Sequence, residues 1–277
     1  MMWQNVALDV LRESASSRYI TVLFAVLVAG ILTLSFALDL EVVEGALAAG
    51  RLFGQEVGGG IRPIDIALRP VFQGLAHLVF YLGILFGIVS TADVAPRLWS
   101  PGRVELLLSL PVKRWEVVFG TFVGVMSISI LAAMFAVGGI SGVLFFKGGF
   151  ATIAPLAGSL VAVIGFMSVY SAMLLASSFF RSATLSAGVG LFVYLVALMT
   201  SDRENFLSWF RDGGIRDVLE ILIAPLPPLN ALADLGAGVA GGEIPPLMDG
   251  LMAVGVTLAF SIAMLLLTSF VVAEKDY

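Results

Sequence analysis

Six stretches of this chain run for 20 residues or more without an Asp, Glu, Lys or Arg: Tyr19–Leu38, Pro70–Ala92, Val117–Phe146, Gly148–Phe180, Ser182–Ser201 and Gly250–Ala273. A hydrocarbon core about 30 Å thick is crossed by roughly 20 apolar residues in α-helix. Helix is the conformation such runs must take, because in lipid each backbone N–H and C=O has to be satisfied within its own segment. An ionised side chain at mid-span would oppose insertion by about 2.5–3.5 kcal/mol, which explains why the runs stay clean. Only 13% of the 277 residues are charged and 59% are apolar, against roughly 25% charged in an average soluble domain. A water-soluble monomer is excluded. The expected class is an all-α integral membrane protein: one domain, 1–277, with spans at approximately 19–38, 70–92, 117–146, 154–180, 182–201 and 250–273.

The 33-residue run holds more chain than one span needs. Gly148, Gly149, Ala154 and Pro155 read as a connector, with the fourth helix starting near Ala154. Ile221–Ala233 is apolar but has 13 residues and three prolines, Pro225, Pro227 and Pro228. It reads as an interfacial or re-entrant piece of an outer segment, 202–249, that carries short helices. Residues 1–18 contain acids as well as Arg12 and Arg18, which argues against a cleavable signal. Trp3, Val6, Ala7, Val10 and Leu11 recur at helical spacing, with Gln4, Asn5, Asp9, Arg12 and Glu13 on the other face. That pattern predicts an amphipathic helix lying in the membrane interface.

Topology follows from the basic residues. With the N-terminus inside, eight fall in inner segments and seven in outer ones. The split becomes informative because the rule weighs short connectors: the compact 93–116 segment holds Arg97, Arg103, Lys113 and Arg114, whereas Asp39–Arg69 and Asp202–Asp249 are long. The expectation is a multi-pass protein of the cytoplasmic membrane with both termini cytoplasmic.

Several chemistries lose their parts. There is no Cys, and His77 is the one histidine, so thiolate and His-rich metal sites are not expected. The formal charge of −5 argues against nucleic acid as a partner. A Walker A motif needs Gly-Lys, and Lys113, Lys147 and Lys275 follow Val, Phe and Glu. Proton relays and voltage sensors place ionisable groups at membrane depth, where these spans have His77 alone. His77 has two readings: a titratable group in a pathway, or a hydrogen-bonded imidazole near the outer interface helped by Arg69 or Asp65. Gly83 and Gly87, Gly120 and Gly124, and Gly138 and Gly142 are spaced for close helix packing. Ser127, Ser129, Ser168, Tyr170 and Ser171 are candidates for a substrate path; hydroxyls bonding back to their own helix are the alternative.

The segment between the second and third spans stands out. Pro101 and Pro111 bracket a helix-competent stretch in which Arg103 and Glu105 accompany Leu106, Leu107 and Leu108. A solvent loop has no use for three consecutive leucines, whereas a short helix pressed into a protein groove does. The alternative is an interfacial helix with no partner. Trp99 and Trp115 suit the headgroup level at either end. The run Arg103-Val-Glu-Leu-Leu-Leu-Ser-Leu-Pro-Val-Lys-Arg-Trp-Glu-Val-Val-Phe-Gly120 resembles the cytoplasmic motif of ABC-2-type ABC transporter permeases. The resemblance extends in layout to the N-terminal helix, six spans, a basic turn at Ser177–Ser182 and short helices within Ile215–Met248. Its length is similar to that of the nitrous oxide reductase maturation permeases, among others. The family's acidic residue and Gly-Thr-Leu ahead of the leucines, and its Lys after the third-span glycine, are replaced here by Ser100-Pro-Gly-Arg-Val-Glu105 and Thr121.

The resemblance implies a type V exporter-like permease fold and a non-catalytic subunit that dimerises, as a homodimer or heterodimer, and docks two ATPase subunits. ATP and Mg would be bound by those partners, with no cofactor in this chain. Arg103, Glu105, Leu106, Leu107, Leu108, Pro111, Lys113 and Arg114 would form the ATPase-coupling site: leucine anchors, a polar rim, and a segment, 93–116, that relays ATPase closure to the spans. A permease-like subunit that passes ATPase motion to an extracytoplasmic partner without moving a solute is the second reading. A secondary transporter is a third.

Overall fold

The computed structural model describes residues 3–15, 18–43, 46–52, 55–56, 62–63, 66, 68–99, 113–149, 153–201, 203–209, 214–243 and 247–274. Within these, helices α1 (Trp3–Ala15) and α2 (Arg18–Ala37) lead into a small sheet. Helices α3 (Arg69–Thr91), α4 (Val94–Leu98), α5 (Arg114–Gly148), α6 (Ala154–Phe180) and α7 (Ala183–Met199) follow. The chain then forms α8 (Arg203–Ser208), α9 (Gly214–Ile223), α10 (Leu229–Ala240) and α11 (Leu247–Glu274).

Helix ends obey local rules. Pro70 and Pro155 sit in the first turns of α3 and α6, where a missing N–H costs nothing. α5 stops at Gly149, whose φ of 66° is left-handed and whose N–H donates to Phe145 O at 2.9 Å, the arrangement glycine favours at a helix end. At about 1.5 Å per residue, the 35 residues of α5 extend well beyond a bilayer core, while the 12 of α10 fall short of one.

Among the described residues four helical stretches are long and apolar enough to cross a membrane: Arg69–Leu98, Arg114–Lys147, Ala154–Phe180 and Met248–Glu274. Ile20–Phe36 and Ala183–Met199 are shorter apolar helices. Many exposed side chains along these helices are large and apolar, Phe36, Leu131, Phe192 and Leu266 among them, as a surface facing hydrocarbon requires. α6 is the axis of the bundle. Val169, Tyr170, Met173 and Leu174 have no accessible surface, and α3, α5, α7, α10 and α11 all pack on it.

Lipid supplies no hydrophobic drive between helices, so close packing and small residues must hold them together. Gly158 of α6 meets Gly236 of α10 so tightly that a Cβ on Gly158 would lie 2.5 Å from Gly236 O. Gly165 receives Phe80 and Ile84 of α3, and Gly190 of α7 receives Met173. Proline punctuation divides the 221–233 run: α9 ends at Ile223, α10 starts after Pro228, and Leu229 and Leu232 are fully buried. α10 thus buries one face in protein and leaves Asp234 on the other exposed.

Among the described residues the long apolar runs are helical, as expected, and the segment after α2 adds a feature that hydropathy did not signal. β1 (Leu38–Val43) pairs antiparallel with β2 (Ala46–Leu52), Leu38 opposite Leu52, with a register shift between Glu41 and Val42. β2 also pairs with β3 (Gln55–Glu56) and β4 (Arg62–Pro63). Val42-Val43 before Glu44-Gly45 is the hairpin signal in the sequence; the alanines of 46–49, weak strand formers, obscure it.

Candidate functional site

The polar contacts of the helices gather at two opposite ends of the bundle. At one end the chain leaves α3 through Ala92 and Asp93 into the short α4, and α4 is fastened on two sides. Arg97 pairs with Asp93 and reaches Glu13 of α1 at 3.8 Å. Trp99, 3% exposed, donates its indole N–H to Ser177 Oγ of α6 at 3.2 Å, and that hydroxyl donates onward to Leu174 O at 2.7 Å. Trp99 is therefore a buried anchor between helices, where its spacing from the second span suggested the headgroup level. A buried indole N–H needs an acceptor, and Ser177 is the one α6 provides. Trp115 is 48% exposed.

Lys113 caps α5: its backbone N–H donates to Glu116 Oε2 at 3.1 Å, so the N3 carboxylate satisfies one orphan donor of the helix start. Next to it, Arg114 turns inward. Its Nη1 donates to Val272 O and Ala273 O, each at 2.9 Å, capping the last turn of α11 with a cation where the helix dipole is negative. Arg103, Glu105, Leu106, Leu107, Leu108 and Pro111, the remainder of the expected coupling set, lie outside the described residues.

α1 completes this end. Val6, Ala7, Val10 and Ser14 are buried, and Gln4, Asn5, Asp9 and Arg12 face outward with Leu8. The buried stripe lies on the first turns of α5, where Gly120 and Gly124 make room. A Cβ on Gly120 would stand 2.7 Å from Trp3 O, and one on Gly124 2.9 Å from Val10 Cγ1. Trp3 packs edge-on against Phe119 with ring centroids 5.3 Å apart. The other glycines sort differently: Gly87 faces Phe166, while Gly83, Gly138 and Gly142 have open space where a Cβ would go.

At the opposite end His77 of α3 meets α10. Its Nε2 lies 3.1 Å from Asp234 Oδ1 and its Nδ1 3.0 Å from Gln73 O. The partner is Asp234, 157 residues away in sequence, where Arg69 or Asp65 was expected; Asp65 is outside the described residues. Beside it Tyr81 Oη donates to Asn230 Oδ1 at 3.1 Å, and Asn230 Nδ2 donates to Leu198 O at 3.3 Å. The Tyr194 hydroxyl of α7 donates to Tyr81 O at 3.2 Å. These bonds join α3, α7 and α10. Sequence reasoning missed Asn230 and Asp234, since nothing in a Pro-rich apolar run indicates which helix it will meet.

Each of the four candidate path serines bonds to its own helix: Ser127 to Val123 O, Ser129 to Val125 O, Ser168 to Gly165 O and Ser171 to Ser168 O, at 2.7–3.0 Å. Tyr170 stacks near Phe122 and Phe166, and its buried hydroxyl has no hydrogen-bond partner among the described residues. Ser129 borders a cavity of about 80 Å³ shared with Gly83, Gly87, Ser90 and Thr91. A larger apolar one, about 220 Å³, lies between α2, α3 and α5, lined by Leu27, Gly30, Leu75 and Gly83. No group of three or more His, Asp or Glu among the described residues could hold a metal ion.

On either side of the residues that are not described between Trp99 and Lys113, the chain is fastened to different helices: Trp99 to α6 and Arg114 to α11. No curated protein matches the chain. The family model described as ABC-2 family transporter protein matches residues 8–202, more than half of the 277 residues, from within α1 through α7 and including all of 93–116. Membrane components of that family are in general non-catalytic and work with an ABC ATPase. The chain belongs to the ABC-2 transporter family.

Proposed function

We propose that this chain is the permease subunit of an ATP-binding cassette exporter in the cytoplasmic membrane. It carries six spans, α2, α3, α5, α6, α7 and α11, with both termini cytoplasmic and α1 along the inner interface. Two ATPase subunits, which hold ATP and Mg, dock on segment 103–114 of this chain and of a second permease subunit. Leu106, Leu107 and Leu108 anchor the contact, with Arg103, Glu105 and Lys113 at its rim and Pro111 ending the helix. The carrying observation is that the chain leading into that segment and the segment's last residue are both fastened to the bundle: Trp99 on Ser177, and Arg114 on the end of α11. A segment held this way passes a push to the helices instead of yielding to it. For work to be done, the ATPase must contact the two permease states differently. Spans free of ionised residues, with serines bonded back to their helices, suit an apolar or amphipathic cargo.

The test is ATP hydrolysis by the reconstituted complex. Leu107→Asp is expected to abolish permease-dependent stimulation while membrane insertion stays normal; unchanged stimulation would contradict the docking role.

One observation favours the second reading, a relay to an extracytoplasmic partner. α9 leaves Val218, Ile221 and Leu222 exposed at i, i+3 and i+4, and Trp209 nearby in sequence is 68% exposed. ATP-dependent movement of cargo across vesicles supports the exporter; ATPase stimulation with no cargo movement supports the relay.

A further inference from the structure

We infer that Arg114 is a positioning residue that ties the trailing end of segment 101–112 to the last span, so that displacement of the segment is delivered to α11 as well as to α5. This rests on the coupling role proposed above for that segment.

The two flanks of the segment are fastened to different helices. The leading flank is held by Trp99 on α6 and by Arg97 near Glu13 of α1. The trailing flank is held by Arg114 on α11. Displacing the segment therefore loads α1 and α6 at one flank and α5 and α11 at the other. The Arg114 link suits this task. One guanidinium nitrogen serves two successive carbonyls that have no helical partner at a helix end. Val272, one of the two residues bonded, is 2% exposed, and its bond to Arg114 is partly buried, while the bond to Ala273 O is open to water.

The receiving element is a rod. α11 has 28 residues, about 42 Å of helix at 1.5 Å per residue. Its buried hydroxyls, Thr257, Ser261 and Thr268, all bond back to α11 itself, so none of the three is spent on a bond to a neighbouring helix. At the far end Gly250 sits against Leu235 of α10, the helix that carries Asp234 to His77 and Asn230 to Tyr81. Arg114 is thus the first link of a continuous line of packed elements from segment 101–112 to the opposite end of the bundle.

The chain has no cysteine, so spin labels can be placed on an otherwise unaltered background. One pair, Phe270→Cys on α11 and Phe180→Cys at the end of α6, reports α11. A second, Trp115→Cys with Phe180→Cys, reports α5; all three positions are exposed. In the complex with its ATPase, vanadate-trapped nucleotide is expected to shift both distances. Arg114→Gln should abolish the α11 shift and keep the α5 shift, with ATPase still bound. Arg114→Lys, which retains a cationic donor and is the less disruptive change, should restore the α11 shift. An α11 shift that survives Arg114→Gln, or one that Arg114→Lys fails to restore, overturns the inference. Absence of ATPase, or of any nucleotide shift in either pair with Arg114 intact, instead removes the coupling role and the inference with it.

Discussion

Gly120 lies directly beneath Trp3: a side chain on Gly120 would begin 2.7 Å from the Trp3 carbonyl oxygen. Real Cβ atoms do not approach backbone oxygen that closely, so the absence of a side chain is what lets α1 rest on α5. Gly124, one turn on, does the same under Ala7 and Val10. Gly120→Ala is expected to lift α1, read as faster proteolysis within residues 3–15 and a lower melting temperature in detergent. Gly138→Ala, where the space is open, should be neutral or gain up to about 1 kcal/mol from helix propensity.

The Trp99–Ser177 bond separates ring from hydrogen bond. Trp99→Phe keeps most of the packing and should cost about 1 kcal/mol. Trp99→Ala also leaves a cavity and should cost about 3–5 kcal/mol. Thermal unfolding of both variants in one detergent gives the comparison, and equal losses would show that the indole N–H carries the whole contact.

At the opposite end, two polar contacts should differ in worth. Asp234 has a 76% exposed side chain, so a double-mutant cycle with His77→Gln and Asp234→Asn should return at most about 1 kcal/mol of coupling. Asn230 serves both Tyr81 and Leu198 from a partly buried position. Asn230→Ala strands those groups and should cost about 1–3 kcal/mol. A larger loss from the His77–Asp234 pair would reverse this ranking.

The candidate path serines make a negative prediction. Ser127, Ser168 and Ser171 spend their hydroxyl protons on their own helices, and exchange for Ala should cost no more than about 1 kcal/mol of stability. ATPase stimulation should also be unchanged. Ser129 borders a cavity, and Ser129→Ala is the one change of the four expected to alter transport.

The helical frame was legible because lipid permits few alternatives: runs without charge had to become helices, and Pro155 and Gly149 marked where two of them begin and end. The apolar stripe of α1 was equally legible from spacing. Its resting place was not, since one face of one helix does not reveal which pair of glycines will receive it. Gly83 and Gly87 have the same spacing as Gly120 and Gly124, yet only Gly87 of that pair is in close contact. Arg114 shows the same limit. Beside Lys113 it reads as rim charge, and its bond to α11 spans 158 residues, a separation no local pattern encodes. The sheet at 38–63 escaped because alanine and glycine dilute its alternation.

Co-purification tests the account most directly. The tagged protein, extracted from native membranes in mild detergent, is expected to bring down a Walker-type ATPase in equal amount, and Arg103→Glu with Leu107→Asp should lose it while the chain remains inserted and helical. Recovery of the unsubstituted chain without any ATPase, in detergent that preserves other such complexes, would contradict the coupling account.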